Sequence, residues 1–254
     1  MRHEHFIKQH MLNIRNGIKV SFEVPTETTY HKPSTPPSYT PVIPSLGNRK
    51  PSEKSPFNWR GNQPSLDGTR IMYFESGVEL KAGRIFKADR NVVELREQWP
   101  TIKYKGADRE IHSHTFDYHL RRACGTRILV AAKPAEKVVS SGLLDILRRI
   151  RRQGFSMYGD KISIVTEAFA NSAASANAEW ILLSRRNKND EEYQSALEFV
   201  SGMTGPMRFW DMLTAAPKIS YRRTAIWNLI DDGFLVPVLP GRITDHSLLA
   251  YGNN

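Results

Sequence analysis

The spacing of apolar positions changes several times along the chain, and each change marks an element. From Ile71 onward, Phe74, Val78, Ala82, Ile85 and Phe86 recur at three- and four-residue intervals, which predicts an amphipathic helix with Ser76 and Glu79 near its start. Three β-rich runs follow at 92–98, 112–120 and 126–132, separated by the turn-like Lys105-Gly106-Ala107-Asp108 and by Cys124-Gly125. The second and third read as a hairpin. Pro134 closes the third, and a helix is predicted over 135–153 with Val138, Val139, Leu143, Ile146, Leu147 and Ile150 toward the core and Arg148, Arg149, Arg151 and Arg152 on the other face. After Gly154, residues 161–166 read as one more strand. Helix, three strands, helix, strand is the order of a small mixed α/β domain.

The C-terminal third has another texture. Helices are predicted at 177–186, 191–203, 206–215 and 221–232, the last two joined by a turn at Pro217, and a β-like stretch at 242–249 follows the turn after Gly233. Helix, turn, helix and a two-stranded ribbon is the winged-helix pattern. In this pattern Trp210 and Trp227 are expected in the core. At the other end, nine of the fifteen prolines lie between Pro25 and Pro64 among Ser, Thr, Asn and Lys, as in an extended arm or a disordered leader. Ahead of it Phe6, Ile7, Met11, Leu12, Ile14 and Ile18 suit one short helix or strand. The expected division is therefore an N-terminal segment at 1–70, an α/β domain at 71–168 and a helical, winged-helix-like domain at 169–254.

Composition narrows the class. The 254 residues are 40% apolar and 24% charged, which fits a globular protein and neither collagen, coiled coil nor wholesale disorder. No apolar run approaches the ~20 residues that span a bilayer, and the polar N-terminus has no secretory h-region, so a soluble, cytoplasmic protein without a membrane partner is expected. Cys124 is the single cysteine, which rules out an intramolecular disulfide and a Cys-based zinc site. The net charge of +10 points to a polyanion, and double-stranded DNA is the partner expected.

Three residues of the α/β region form the strongest chemical candidate. Glu79 lies on the first helix, Asp117 in the second β-run, and Lys133 just past the third. Hydrolysis of a phosphodiester needs hard oxygen ligands for Mg²⁺, for which Mn²⁺ commonly substitutes, and a cation beside the attacking water or the developing charge. Two carboxylates and a lysine supply that set. Each alone reads as an ordinary surface charge, but Asp117 between Phe116 and Tyr118 runs against strand propensity, and such local conflict often marks function. Glu97 is the one further acid nearby, with a structural role the simpler expectation. Arg121, Arg122 and Arg127 flank the hairpin, Arg148 and Arg149 lie on the next helix, and Lys218, Tyr221, Arg222 and Arg223 open the second helix of the winged-helix pattern; these are the candidate DNA contacts. His112, His114 and His119 suit local hydrogen bonds or phosphate better than zinc. Neither a nucleophile elbow, a P-loop nor a dinucleotide fingerprint is present.

The motifs Ser76-Gly77-Val78-Glu79, Val93 to Arg96-Glu97-Gln98-Trp99-Pro100, His114-Thr115-Phe116-Asp117-Tyr118 and Val130-Ala131-Ala132-Lys133-Pro134 together resemble the S-x-x-E, V…x-E-Q-x-P, T-x-D-[FY] and [EQ]-x-K-P succession of the TnsA family, the endonuclease subunit of Tn7-type heteromeric transposases. The resemblance covers roughly residues 71–166 by motif and the remainder by architecture. It implies a restriction-endonuclease-like PD-(D/E)xK core of αβββαβ order followed by a winged-helix-like domain. It also implies Glu79 and Asp117 as Mg²⁺ ligands, Lys133 as the catalytic lysine, and partners of the DDE transposase (TnsB-like) and AAA+ regulator (TnsC-like) kinds. One position departs: where the family has Glu or Gln, this chain has Ala131, which offers no side-chain oxygen. A cleavage-defective binding module and a phage head-completion protein are the alternatives the same motifs leave open.

Overall fold

A computed structural model describes Met11, residues 41–50 and residues 59–252. The chain divides into two units, Met1–Pro41 and Val42–Asn254, and every numbered strand and helix belongs to the second. The short element expected around residues 6–18 and most of the Pro-rich arm lie outside the described residues. The arm's 41–50 stretch is described, and it runs along the protein: Ile43 bridges Arg70, and Arg96 donates to the Leu46 carbonyl.

A hairpin of β1 (Gly61–Pro64) and β2 (Ile71–Phe74) leads into α1 (Gly77–Ala88). The predicted helix is thus present from Gly77, while Phe74 ends a strand instead of beginning a helical stripe. Ser76 starts α1 by accepting a hydrogen bond from the Glu79 amide at 3.2 Å. The central sheet has the order β3-β6-β7-β8: β3 (Val92–Glu97), β6 (Tyr118–Arg122) and β7 (Arg127–Ala132) pair antiparallel, and β8 (Lys161–Val165) joins β7 in parallel. A parallel neighbour requires a crossover, made here by α2 (Ala135–Ser140) and α3 (Leu143–Gln153). One helix was expected over 135–153. Gly142 breaks it, at φ 71°, a backbone region open to glycine and costly for other residues. The break leaves Val139 76% exposed, whereas Leu143, Leu147 and Ile150 are buried as expected.

The two faces of the sheet carry separate cores. On one, α1 places Ala82 and Phe86 against Val92, Leu95, Tyr118, Leu120 and Val130. On the other, α3 packs its apolar stripe against Leu129, Ala131 and Ile162, together with Ile102 and Tyr104 of a second hairpin, β4 (Thr101–Lys105) with β5 (Ile111–Thr115). The run at 112–120 therefore holds two strands instead of one. Phe116 donates its amide to the Pro100 carbonyl at 3.1 Å, and the next residue, Asp117, donates to the Val130 carbonyl at 3.0 Å. The chain changes partner at Asp117, so the acid that interrupts the β-rich run lies between two strands and not within one.

The remainder comprises α4 (Ser172–Arg186), α5 (Asp190–Ser201), β9 (Met207–Arg208), α6 (Phe209–Thr214), α7 (Ile219–Asp231), β10 (Leu235–Pro237) and β11 (Leu248–Tyr251), with a small sheet of order β10-β11-β9. Phe209, Met212, Leu213, Ile226, Trp227 and Leu249 fill its core. Trp227 is buried and stacks on Trp180, but Trp210 is 43% exposed and lies outside that core. The last strand begins at Leu248, later than the expected 242, because Ile243 turns inward to plug the core and Asn177 bonds the Gly241 carbonyl and the Ile243 amide. Arg185 joins the two cores: it donates to Asp231 and also to the Lys87 and Ala88 carbonyls at the end of α1, groups that a helix leaves without internal partners.

Candidate active site

Glu79 is placed by the start of α1. Its Oε1 accepts from the Ser76 hydroxyl at 2.9 Å and its Oε2 from the Glu75 amide at 2.8 Å, so carboxylate and cap hold one another, much as in a capping box. The Tyr118 hydroxyl donates to the Glu79 carbonyl at 2.9 Å and ties the first turn of the helix to the sheet. Asp117 is placed by the strand switch. Its Oδ2 accepts from the Ala132 amide at 2.7 Å across the β6–β7 pair. Between the two acids sits Gln98, whose Nε2 is 3.4 Å from both Glu79 Oε2 and Asp117 Oδ1. The structure thus brings Glu79 and Asp117 to one amide group, from a helix and from the link between two strands, 38 positions apart.

At this spot burial outweighs the nearby positive charge. Burial, and then the charge of Asp117, push the Glu79 carboxyl up to about 8, despite the Ser76 hydrogen bond and the positive charges of Arg49 and Lys133. Burial likewise pushes Asp117 up to about 6, against the Ala132 amide and the same two cations. Lys133 directly follows β7, its amide bonded to the Val165 carbonyl at 2.9 Å, and its charge acts on both acids. His114 stands close by. Burial, with Lys133 and Arg49, lowers it to about 4, so the ring is neutral at physiological pH.

Two members escaped sequence reasoning. Gln98 belongs to a quoted motif but gave no sign of its position, because that depends on a left-handed backbone at the end of β3. Arg49 lies in the Pro-rich arm and reaches the site through an ion pair with Glu75, the residue whose amide holds Glu79. A basic residue inside a Pro-rich stretch was the only available signal. Glu97 is fully buried and accepts from the Ser45 hydroxyl, and among the described residues no three His, Cys, Asp or Glu side chains gather as a metal-binding cluster. Ala131 is buried in the α3-side core.

The basic candidates divide. Arg148 and Arg149 lie on α3 and share Asp145, while Arg121 pairs with Glu94 and Arg122 with Asp89; all four ion pairs are at the surface. Arg127 is engaged by Asp160 and by the Ser156 and Met157 carbonyls, tying down the loop before β8. Arg222 and Arg223 correct the expectation of a free basic helix start. Arg222 is 4% exposed and paired with Glu192 and Ser195, and Arg223 is paired with Asp245. Packing of α7 against α5 turns Arg222 inward, leaving Lys218 and Tyr221 exposed at that end. A separate apolar groove of about 800 Å³ between α1, α4 and the sheet is lined by Phe86, Leu120, Val130 and Ile181, among others, and includes none of the three candidate catalytic residues.

No protein-family model and no curated protein matches the chain. Among the described residues no helix is long and apolar enough to cross a membrane.

Proposed function

We propose that the protein is a metal-dependent DNA endonuclease of the restriction-endonuclease-like class, similar to TnsA, cutting at the ends of a mobile element alongside a DDE transposase and an AAA+ regulator. One observation carries this reading: Glu79 and Asp117, far apart in sequence, converge on a buried spot beside Lys133 where their charges oppose one another. With the β4–β5 hairpin set aside and α2 and α3 counted as one crossover, α1, β3, β6, β7, α2–α3 and β8 follow the αβββαβ order that the motifs imply, and α6, α7 and the β10-β11-β9 sheet are compatible with a winged helix.

The residues fit a divalent cation. Two close carboxylates that raise each other's affinity for protons are relieved by a hard cation, and their oxygens are the donors that Mg²⁺ and Mn²⁺ prefer. Glu79 and Asp117 would hold it. When bound, such an ion polarises the scissile phosphate and acidifies a water. The chain's own contribution is positional. Ser76 and the Glu75 amide fix the Glu79 carboxylate, and the Ala132 amide fixes that of Asp117. Lys133 and Arg49 then oppose the negative charge that develops on phosphate, and Arg121, Arg122, Arg148 and Arg149 grip the backbone. A covalent enzyme intermediate is not needed.

The buried Ala131, and the lack of a three-acid group among the described residues, favour a second reading as a DNA-binding module that no longer cuts. Incubation of the full chain with supercoiled plasmid and Mg²⁺ or Mn²⁺, alone and with the neighbouring transposition proteins, separates the two. Nicked or linear product that disappears with EDTA supports the nuclease; DNA retention with no product under any of these conditions supports the binding module.

A further inference from the structure

We propose that Gln98 is the third side chain of the metal site, its amide oxygen supplying the ligand that residue 131 lacks. This rests on the assignment of Glu79 and Asp117 as metal ligands.

Gln98 is 2% exposed at the end of β3, with φ at 47°, a conformation that side-chain-bearing residues seldom adopt. Neighbouring backbone enforces it from both sides: its amide donates to the Asp117 carbonyl at 2.8 Å and its carbonyl accepts from the Asn48 amide at 2.9 Å. The 41–50 strap also presses close. A Cβ at Gly47 would lie 3.0 Å from the Gln98 Cβ and 3.2 Å from the Glu97 carbonyl oxygen, so a side chain at 47 would have to displace this corner. Such a backbone constraint at a buried polar residue is what a fold retains where the side chain must point one way.

That direction is into the gap between the acids. The side-chain amide stands 3.4 Å from one oxygen of each, equally far from both. An amide has two faces of similar shape, an NH2 donor and a carbonyl oxygen, exchanged by rotation of its terminal bond. Facing two carboxylates alone, the NH2 end is favoured. Facing a cation that the carboxylates hold, the oxygen end is favoured, and amide carbonyls belong to the ligand class of Mg²⁺ and Mn²⁺. Ala131 cannot do this, because its side chain belongs to the apolar cluster with Ile102, Phe116 and Leu143. Glu97, the adjacent acid, is held at Oε1 by the Ser45 hydroxyl, and no hydrogen bond of its Oε2 to Glu79, Asp117 or Gln98 is present.

Mn²⁺ binding to the full-length protein, followed by electron paramagnetic resonance, tests this with Asp117→Ala, Gln98→Ala and Gln98→Glu. Asp117→Ala should abolish tight binding. Gln98→Ala should weaken it by about tenfold or more. Gln98→Glu, of nearly the same shape, should bind Mn²⁺ more tightly than the wild type while its metal-free form melts at a lower temperature, since a third acid adds both ligand charge and repulsion. A residue that only packs would not shift these two readouts in opposite directions. If Gln98→Glu binds Mn²⁺ no better than the wild type, or Gln98→Ala binds equally well, while Asp117→Ala still loses the ion, the role of Gln98 is overturned and the site assignment stands. If the wild type binds no Mn²⁺, or Asp117→Ala binds as the wild type does, the site assignment falls with it.

Discussion

At the start of α7, Arg222 and Arg223 each meet a carboxylate of their own, Glu192 and Asp245; just before β6, Glu79 and Asp117 instead face one another across the Gln98 amide. Both places concentrate like charge in the sequence, and both had seemed candidates for function. The difference lies in what the fold packs against them. Around α7, opposite charge from α5 and from the loop before β11 closes each pair, so the arginines serve the structure. Around Asp117, among the described residues, no ion pair closes on either acid: amides and a hydroxyl donate to them, Lys133 and Arg49 act on them by charge alone, and burial raises both toward the protonated form. A buried charge with its partner in place explains itself by stability. A buried acid without such a partner is relieved by a proton or by a bound cation.

Several experiments break or sharpen this contrast. The largest effect belongs to Asp117→Ala, which should lower plasmid cleavage by about a thousandfold or more with little change in DNA affinity; retained cleavage would remove Asp117 from the site. Next comes Arg222→Ala. It strands Glu192 in a mostly buried position and should cost about 3 kcal/mol, read as a fall of roughly 6–12 °C in melting temperature for a chain of this size. An unchanged melting point would mean that the pair is not structural.

Stability against pH distinguishes the two regions more subtly. Glu79 and Asp117 have folded pKa values raised to about 8 and about 6 from ordinary values of 4.5 and 3.8. Between the ordinary and the raised values the folded state holds more protons at these two groups than the unfolded one, so their contribution to the stability of the metal-free protein is fully present below about pH 4 and is lost as pH rises through about 6 for Asp117 and about 8 for Glu79. Thermal melts from pH 5 to 8.5 should show the decline, Glu79→Gln should flatten it, and Arg222→Ala should leave its slope in place. The smallest effect concerns Arg148, 60% exposed beside Asp145. Arg148→Ala should change stability by less than about 0.5 kcal/mol, while the salt dependence of DNA binding loses about one unit of slope. A fluorescence binding titration across salt concentrations reads that directly.

Much of the framework was legible because it depends on local pattern. The 3.6-residue spacing around Ala82 and Phe86, the β-rich composition of 92–98 and 126–132, the stripe from Leu143 to Ile150 and the turns at Gly106 and Gly125 reflect neighbours within one element. The errors fell where a distant partner intervened. The 112–120 run split because Pro100, just before β4, and Val130, in β7, offer carbonyls in different places, Trp210 stayed at the surface, and the final strand waited for Ile243 to fill the core.

The site follows the same division. Sequence alone singled out Glu79, Asp117 and Lys133, because residue type, order and the odd placement of an acid among aromatics are written in one dimension. Only the tertiary structure decided that the two acids share one buried gap, that Gln98 stands between them, that Arg49 arrives from the Pro-rich arm and that Arg222 faces inward. The physical reason is that pairing and desolvation act between groups the chain brings together from far apart. Whether a charge is neutralised or left in need of a partner is therefore a property of the fold and not of the residue.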